Sequence, residues 1–307
     1  MLQSKGQSSR KAGPRDGFIL VAVLWFLAAL AALIVVFSHY LSNSARVLRI
    51  DDDALQAEAL VAAGVELAAY QLLMAKNEER PRRGGFSIRI GGDVVAVSFL
   101  TEAARVDLNA APKEMIANLF NILGADAEAA QDHADRVVSW RTKPVDKAAA
   151  RSEEALYAAA GRKYGPRLAP FVHVDELPLV LGPPSWLLDR VMPFVTVFSG
   201  SPGIDILAAP AEVVASVPGM TPLILKDFLA SRDALSAGPA AIAQVPASAR
   251  VIAGKSNAWR LRVSLHPADG RRRSSVVVIE LGEGKLPYRV LSHEDEGAQT
   301  HNARGGA

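Results

Sequence analysis

The residues best suited to acid–base or metal chemistry are the six histidines, His39, His133, His173, His266, His293 and His301. None belongs to an H-E-x-x-H pair, and neither a G-x-S-x-G nucleophile elbow nor a phosphate-cradling P-loop occurs. His173 lies close to Asp175 and Glu176, and His133 lies beside Asp132 and Asp135. Both groups read most simply as solvated helix starts or polar helix faces. The absence of cysteine excludes disulfides, thiolate metal sites, iron–sulfur clusters and cysteine nucleophiles. The expectation is therefore a protein that is not an enzyme and holds no cofactor.

A second candidate chemistry is nucleic-acid binding. Val106-Asp-Leu-Asn-Ala-Ala-Pro112-Lys-Glu114 aligns with Ile204-Asp-Ile-Leu-Ala-Ala-Pro210-Ala-Glu212 at an offset of 98 residues. In each copy a proline is preset for a first helical turn and a glutamate follows near the positive helix end. Each then runs through a glycine turn to a second helical segment and an arginine, Arg141 or Arg232. A helix, a glycine turn and a helix resemble helix-hairpin-helix modules that grip DNA backbones. Such hairpins usually carry two glycines one residue apart. These turns hold only Gly124 and Gly219, and Asp126 would repel phosphate. A structural helix pair is the favoured reading, and a membrane-tethered DNA-binding protein is the alternative.

The elements that would carry these segments follow from composition and pattern. The chain has 307 residues, 50% hydrophobic, 21% charged and 6% aromatic, with a net charge of +2. That is enough for about two domains, poor in base-stacking aromatics and not a polyanion binder. Residues 1–17 are polar, with Lys5, Arg10, Lys11 and Arg15 against Asp16. Residues 18–37 are uninterrupted apolar, about the length that crosses a bilayer core. The basic leader on one side and Asp51, Asp52 and Asp53 on the other place the N-terminus in the cytoplasm. Phe18, Ala22, Trp25 and Phe37 are the expected membrane-anchor residues, within a span taken as 18–40.

Helical spacing continues beyond the membrane. Val61, Val65, Ala68 and Leu72 make an apolar stripe on a stalk over 41–76, a candidate partner interface expected to bury partly against the protein's own sheet and partly against partner helices. A break near Ser42, Asn43 and Ser44, with the three aspartates capping a second helix, is the other option. Alternation predicts strands at 86–90 and 93–99 around Gly91-Gly92, then at 259–266, 274–281 and 287–291, with 194–198 a further short candidate. The fold class is α+β. A sheet from 77–101 and 250–291 is interrupted by helical segments at 102–190 and 199–248, and a polar tail over 294–307 reads as disordered.

The junction Asp16-Gly17-Phe18 resembles the processing site of type IV pilin-like proteins, where a prepilin peptidase cuts after glycine and methylates the new N-terminus. The resemblance extends from Gly17 to about Leu291. It takes in Ala104-Arg-Val-Asp-Leu-Asn-Ala-Ala-Pro112, Val137-Val-Ser-Trp-Arg141, Ser152-Glu-Glu-Ala-Leu-Tyr157, Val174-Asp-Glu-Leu177 and Phe194-Val-Thr-Val197. In that order these segments resemble the K-type minor pseudopilins of bacterial type II secretion. The resemblance implies a leader over 1–17 removed between Gly17 and Phe18, and a pilin-like helix and sheet with a helix-hairpin-helix or SAM-like insertion. It implies a place at the tip of an inner-membrane pseudopilus with the globular part periplasmic. It also implies partners: I- and J-type minor pseudopilins, the prepilin peptidase and the inner-membrane secretion platform, with no nucleic acid. Ala22, at the fifth mature position where most pilin-like subunits have glutamate, matches the K type. Related proteins can bind calcium through aspartates around the position of Trp140. Here Ser139, Arg141, Thr142 and Lys143 surround it, Glu153 and Glu154 read as an exposed helix start, and no metal is assigned.

Overall fold

The computed structural model describes residues 14–76, 79–232, 256–266, 272–282 and 286–296. It divides into two compact units, Met1–Ala59 and Leu60–Ala307. Helix α1, Pro14–Met74, runs without interruption for 61 residues, so the aspartates 51–53 lie inside it and do not cap a second helix. No proline follows Pro14 before Pro81, and alanine and leucine dominate its second half. In the first unit, Val21–Ser38 is long and apolar enough to cross a membrane, and none of it is buried.

In the second unit, β1 (Arg83–Ile90) and β2 (Asp93–Thr101) form a hairpin. Gly91 and Gly92 sit at φ +58° and +104°, the two left-handed positions that a tight hairpin turn requires. Strands β5 (Ala258–His266), β6 (Arg273–Leu281) and β7 (Tyr288–Glu296) complete a five-stranded antiparallel sheet in the order β1-β2-β5-β6-β7. Val95, Val97 and Phe99 pair with Leu265, Val263 and Leu261, and all six are buried. Period-two alternation puts them on one face. The C-terminal part of α1 lies on that face. A Cβ added at Gly64 would stand 3.1–3.3 Å from methyl groups of Val97, Val263 and Val95.

Strand β7 corrects the expected tail, since ordered strand continues through Glu296; residues 297–307 lie outside the described residues. The polar run is held because each acid has a partner. Glu294 meets His173 at 3.1 Å, Asp295 accepts from Ser275 Oγ at 2.6 Å, and Glu296 meets Arg262 at 2.7 Å.

The insertion opens with a 3-10 turn, Glu102–Ala104, and a two-residue strand β3, Val106–Asp107. Strand β3 pairs in parallel with β4, Val195–Thr196, so the 194–198 candidate belongs to a small second sheet. Helices α2 (Lys113–Ile122), α3 (Ala127–Arg141), α4 (Lys147–Ala159), α5 (Ser185–Val191), α6 (Ala211–Ala215) and α7 (Pro222–Arg232) follow. Pro112 and Pro210 occupy the N-cap positions of α2 and α6, with Glu114 and Glu212 in the first turns. One hydrophobic core joins both expected segments, from Leu108 and Phe120 through Trp140 and Leu187 to Val213 and Phe228. Within it Trp140 packs on Tyr157 and Phe171 of the first segment, and α2 of the first meets α6 of the second. Of the expected 199–248 segment, 233–248 lies outside the described residues.

Candidate functional site

The two copies of the repeat form the heart of the insertion. In the first, Asp107 Oδ1 accepts from Asn109 N at 2.7 Å, and Ala111 N donates to Asp107 O at 2.8 Å. In the second, Asp205 Oδ1 accepts from Leu207 N at 3.1 Å, and Ala209 N donates to Asp205 O at 2.8 Å. Each aspartate thus winds the turn that delivers the chain to its helix. Arg141 Nη2 donates to Ala111 O at 2.7 Å, and Arg232 Nη1 donates to Ala209 O at 2.7 Å. The repeat's arginines therefore close equivalent loops on equivalent carbonyls. Burial pushes both Asp107 and Asp205 above the usual carboxylate range, although donors to each oppose the shift and Arg82 also opposes it at Asp205.

The first hairpin turns at Gly124 beside Arg190 and Trp186. Gly124 has φ +114°, and a Cβ there would meet Arg190 Nη1 at 3.1 Å and the Trp186 ring at 3.5 Å. Arg190 also donates to Leu123 O at 3.1 Å. Asp126, the expected phosphate repeller, is the N-cap of α3, its Oδ1 accepting from Ala129 N at 2.8 Å. The hairpin amides of Gly124 and Ala125 already donate to Asn121 O at 3.1 Å and Phe120 O at 3.0 Å, which disfavours the DNA-binding reading.

Glu102 is the residue that the sequence did not single out. Its side chain is fully buried where the sheet gives way to the insertion. Its carboxylate accepts from Arg260 Nε on β5 at 2.7 Å and from Thr196 Oγ1 on β4. One carboxylate therefore ties the exit of β2 to both β4 and β5. A buried carboxylate is costly unless paired and hydrogen-bonded in this way. No composition or spacing signal marks it, because the pairing spans 158 residues.

The acidic and histidine clusters resolve into structural contacts. His173 Nε2 meets Glu294 at 3.1 Å and its Nδ1 meets Asp175 at 3.1 Å, joining the insertion to β7. Glu176 accepts from Trp140 Nε1 and Val172 N and pairs with Arg167 at 3.3 Å. Asp135 pairs with Lys113 at 2.7 Å, and Glu153 faces Arg136 at 3.6 Å. The His133 ring stands edge-on to Phe120, and burial holds its imidazole below the usual histidine range. Among the described residues no group of three His, Asp or Glu side chains is arranged to hold a metal ion.

The expected partner stripe is corrected. Val61, Val65, Ala68 and Leu72 are buried within the chain, so this face of α1 belongs to the protein's own core. The helical period locates the apolar face but does not say which surface covers it. The large apolar side chains left outward in this part of α1 are Leu67 (39% exposed), Tyr70 (61%) and Met74 (67%). In the anchor, Trp25 and Phe37 are exposed and Ala22 is half-buried, while Gly17 and Phe18 fall in the first turns of α1.

Residues 97–200, from within β2 past β4, match the family model described as type II secretion system protein K. Over these residues, about a third of the chain, it is similar to that family. No curated protein matches it. Among solved structures it is similar to a chain of the crystal structure of the GspK-GspI-GspJ complex from enterotoxigenic Escherichia coli, at 16% identity and a TM-score of 0.61. That likeness covers 80% of this chain and 98% of the other, and it establishes the shared fold. Among the described residues two stretches are long and apolar enough to cross a membrane, Val21–Ser38, none of which is buried, and Ala54–Met74, which is partly buried within the protein.

Proposed function

We propose that this protein sits at the tip of the type II secretion pseudopilus, where it initiates or caps assembly for export of folded proteins across the outer membrane. The observation that carries the reading is the insertion on the pilin-like sheet, a second body with its own core running from Ala104 to Phe228. A body of domain size clashes with the next layer inside a packed helical filament, but not at its end. Ala22 supports the same position. A carboxylate within the bilayer costs at least about 2.5 kcal/mol without a partner, and a terminal subunit has no need of one.

The partners in this reading are the I- and J-type minor pseudopilins, met by the outward face of α1 at Leu67, Tyr70 and Met74. The leader up to Gly17 stays cytoplasmic, the prepilin peptidase cuts before Phe18, the new N-terminus is methylated, and the secretion platform of the inner membrane receives the anchor. The globular part is periplasmic. Co-expression with the I and J types followed by size-exclusion chromatography tests the reading. A co-eluting ternary complex is expected, and three folded proteins that never co-elute at high micromolar concentration would defeat it.

A further inference from the structure

Three guanidinium groups gather on the sheet face opposite α1. Arg260 and Arg262 are two residues apart on β5 and therefore share a face, paired in register with Leu100 and Ser98 of β2. Arg105 leaves the insertion's first turn toward them, its Nη1 donating to Pro193 O. Two carboxylates answer the three cations, since Glu102 takes Arg260 and Glu296 takes Arg262. Arg105 keeps a buried Nε without a hydrogen-bond partner. A buried guanidinium N–H left unpaired in a folded protein calls for an acceptor. Crowding is visible in its acidity as well. Burial first, then Arg260 and Arg262, lower the Arg105 pKa to about 10 against the opposing pull of Glu102.

Of the three arginines, Arg262 lines an open groove of 310 Å³ together with Gly85, Ser87, Ala96, Ser98 and Ser264 among others. Its size is at the small end of ligand sites. Three serine hydroxyls surround a floor of small residues, and Arg262 offers a planar fork suited to a carboxylate. Gly85 keeps the strand close, for a Cβ there would stand 2.8 Å from Val97 O.

We propose that this groove is a binding site for a small polycarboxylate anion, held by Arg262 and the serine hydroxyls under the positive field of Arg105 and Arg260. The site is separate from the assembly face of α1 and does not depend on the tip reading. Charge-assisted bonds to a guanidinium supply the affinity, and the hydroxyls orient the ligand.

The test uses the full-length chain in detergent micelles, titrated with citrate at constant ionic strength set by sodium chloride, with thermal melting as the readout. A saturable rise in melting temperature is expected. Arg262→Ala, which also removes the partner of Glu296 and is therefore compared with its own melting temperature in the matched salt, weakens the apparent affinity by about tenfold. Ser98→Asp places a carboxylate opposite Arg262, and it should raise the melting temperature and abolish the citrate response. The proposal is overturned if citrate does no more than the matched salt. It is equally overturned if both variants respond as the wild type does, or if Ser98→Asp lowers the melting temperature and still responds.

Discussion

Asn118 and Ser216 stand 98 residues apart, the same offset that separates the two copies of the repeat, and Asn118 Nδ2 donates to Ser216 O at 3.1 Å. Equivalent positions of the two copies therefore meet, α2 of the first against the end of α6 of the second. Ser216 is buried, and its hydroxyl is spent on Val213 O at 2.7 Å. Asn118→Ala removes the donor to Ser216 O and should destabilise the protein by about 1–3 kcal/mol. Chemical denaturation checks this, and an unchanged midpoint would show that the copies do not depend on the contact.

Gly64 sets how closely α1 approaches the sheet. Gly64→Leu forces a side chain into space where even a Cβ would meet three valine methyl groups at 3.1–3.3 Å. Overpacking of this kind costs about 1–3 kcal/mol. The expected result is a lower melting temperature with helical content retained, measured by circular dichroism.

His133 gives the insertion an acid sensitivity. Burial lowers its pKa, with Asp132 and Asp126 opposing, so the unfolded chain takes up the proton more readily. Its stabilising contribution is present above the unfolded value and is lost as pH falls through the folded one. Between about pH 7.5 and 5.5 the wild type should lose more stability than His133→Gln. Parallel losses in thermal melts would remove this assignment.

Much of the fold was legible where local chemistry decides structure. Gly91-Gly92 marked the hairpin, Pro112 and Pro210 marked helix starts, and the repeat placed Asp107 and Asp205 in equivalent turns. What escaped depends on distant partners. Glu102 looks like any surface glutamate until Arg260 and Thr196 converge on it. The run Glu294 to Glu296 reads as a polar tail because its partners, His173, Ser275 and Arg262, lie on other elements. The stripe at Val61, Val65, Ala68 and Leu72 was legible as apolar and as partly facing the chain's own sheet, yet only tertiary packing shows that the chain itself buries all four.

Processing follows from the leader junction. Cleavage should leave Phe18 as the first residue, and Gly17→Val should leave the precursor uncut in cells containing the prepilin peptidase. Mass spectrometry of the mature N-terminus reads both results. An intact leader on the wild-type chain in those cells would contradict this reading.

Assembly with other minor pseudopilins is most directly tested by photo-crosslinking in cells that make the whole set. A benzophenone side chain replaces Tyr70 on the outward face of α1, or Val145, which is fully open on the loop before α4. The account predicts a light-dependent adduct between position 70 and another minor pseudopilin, and none from position 145. A membrane-inserted, folded chain that gives no adduct at position 70, or gives one only at 145, would contradict it.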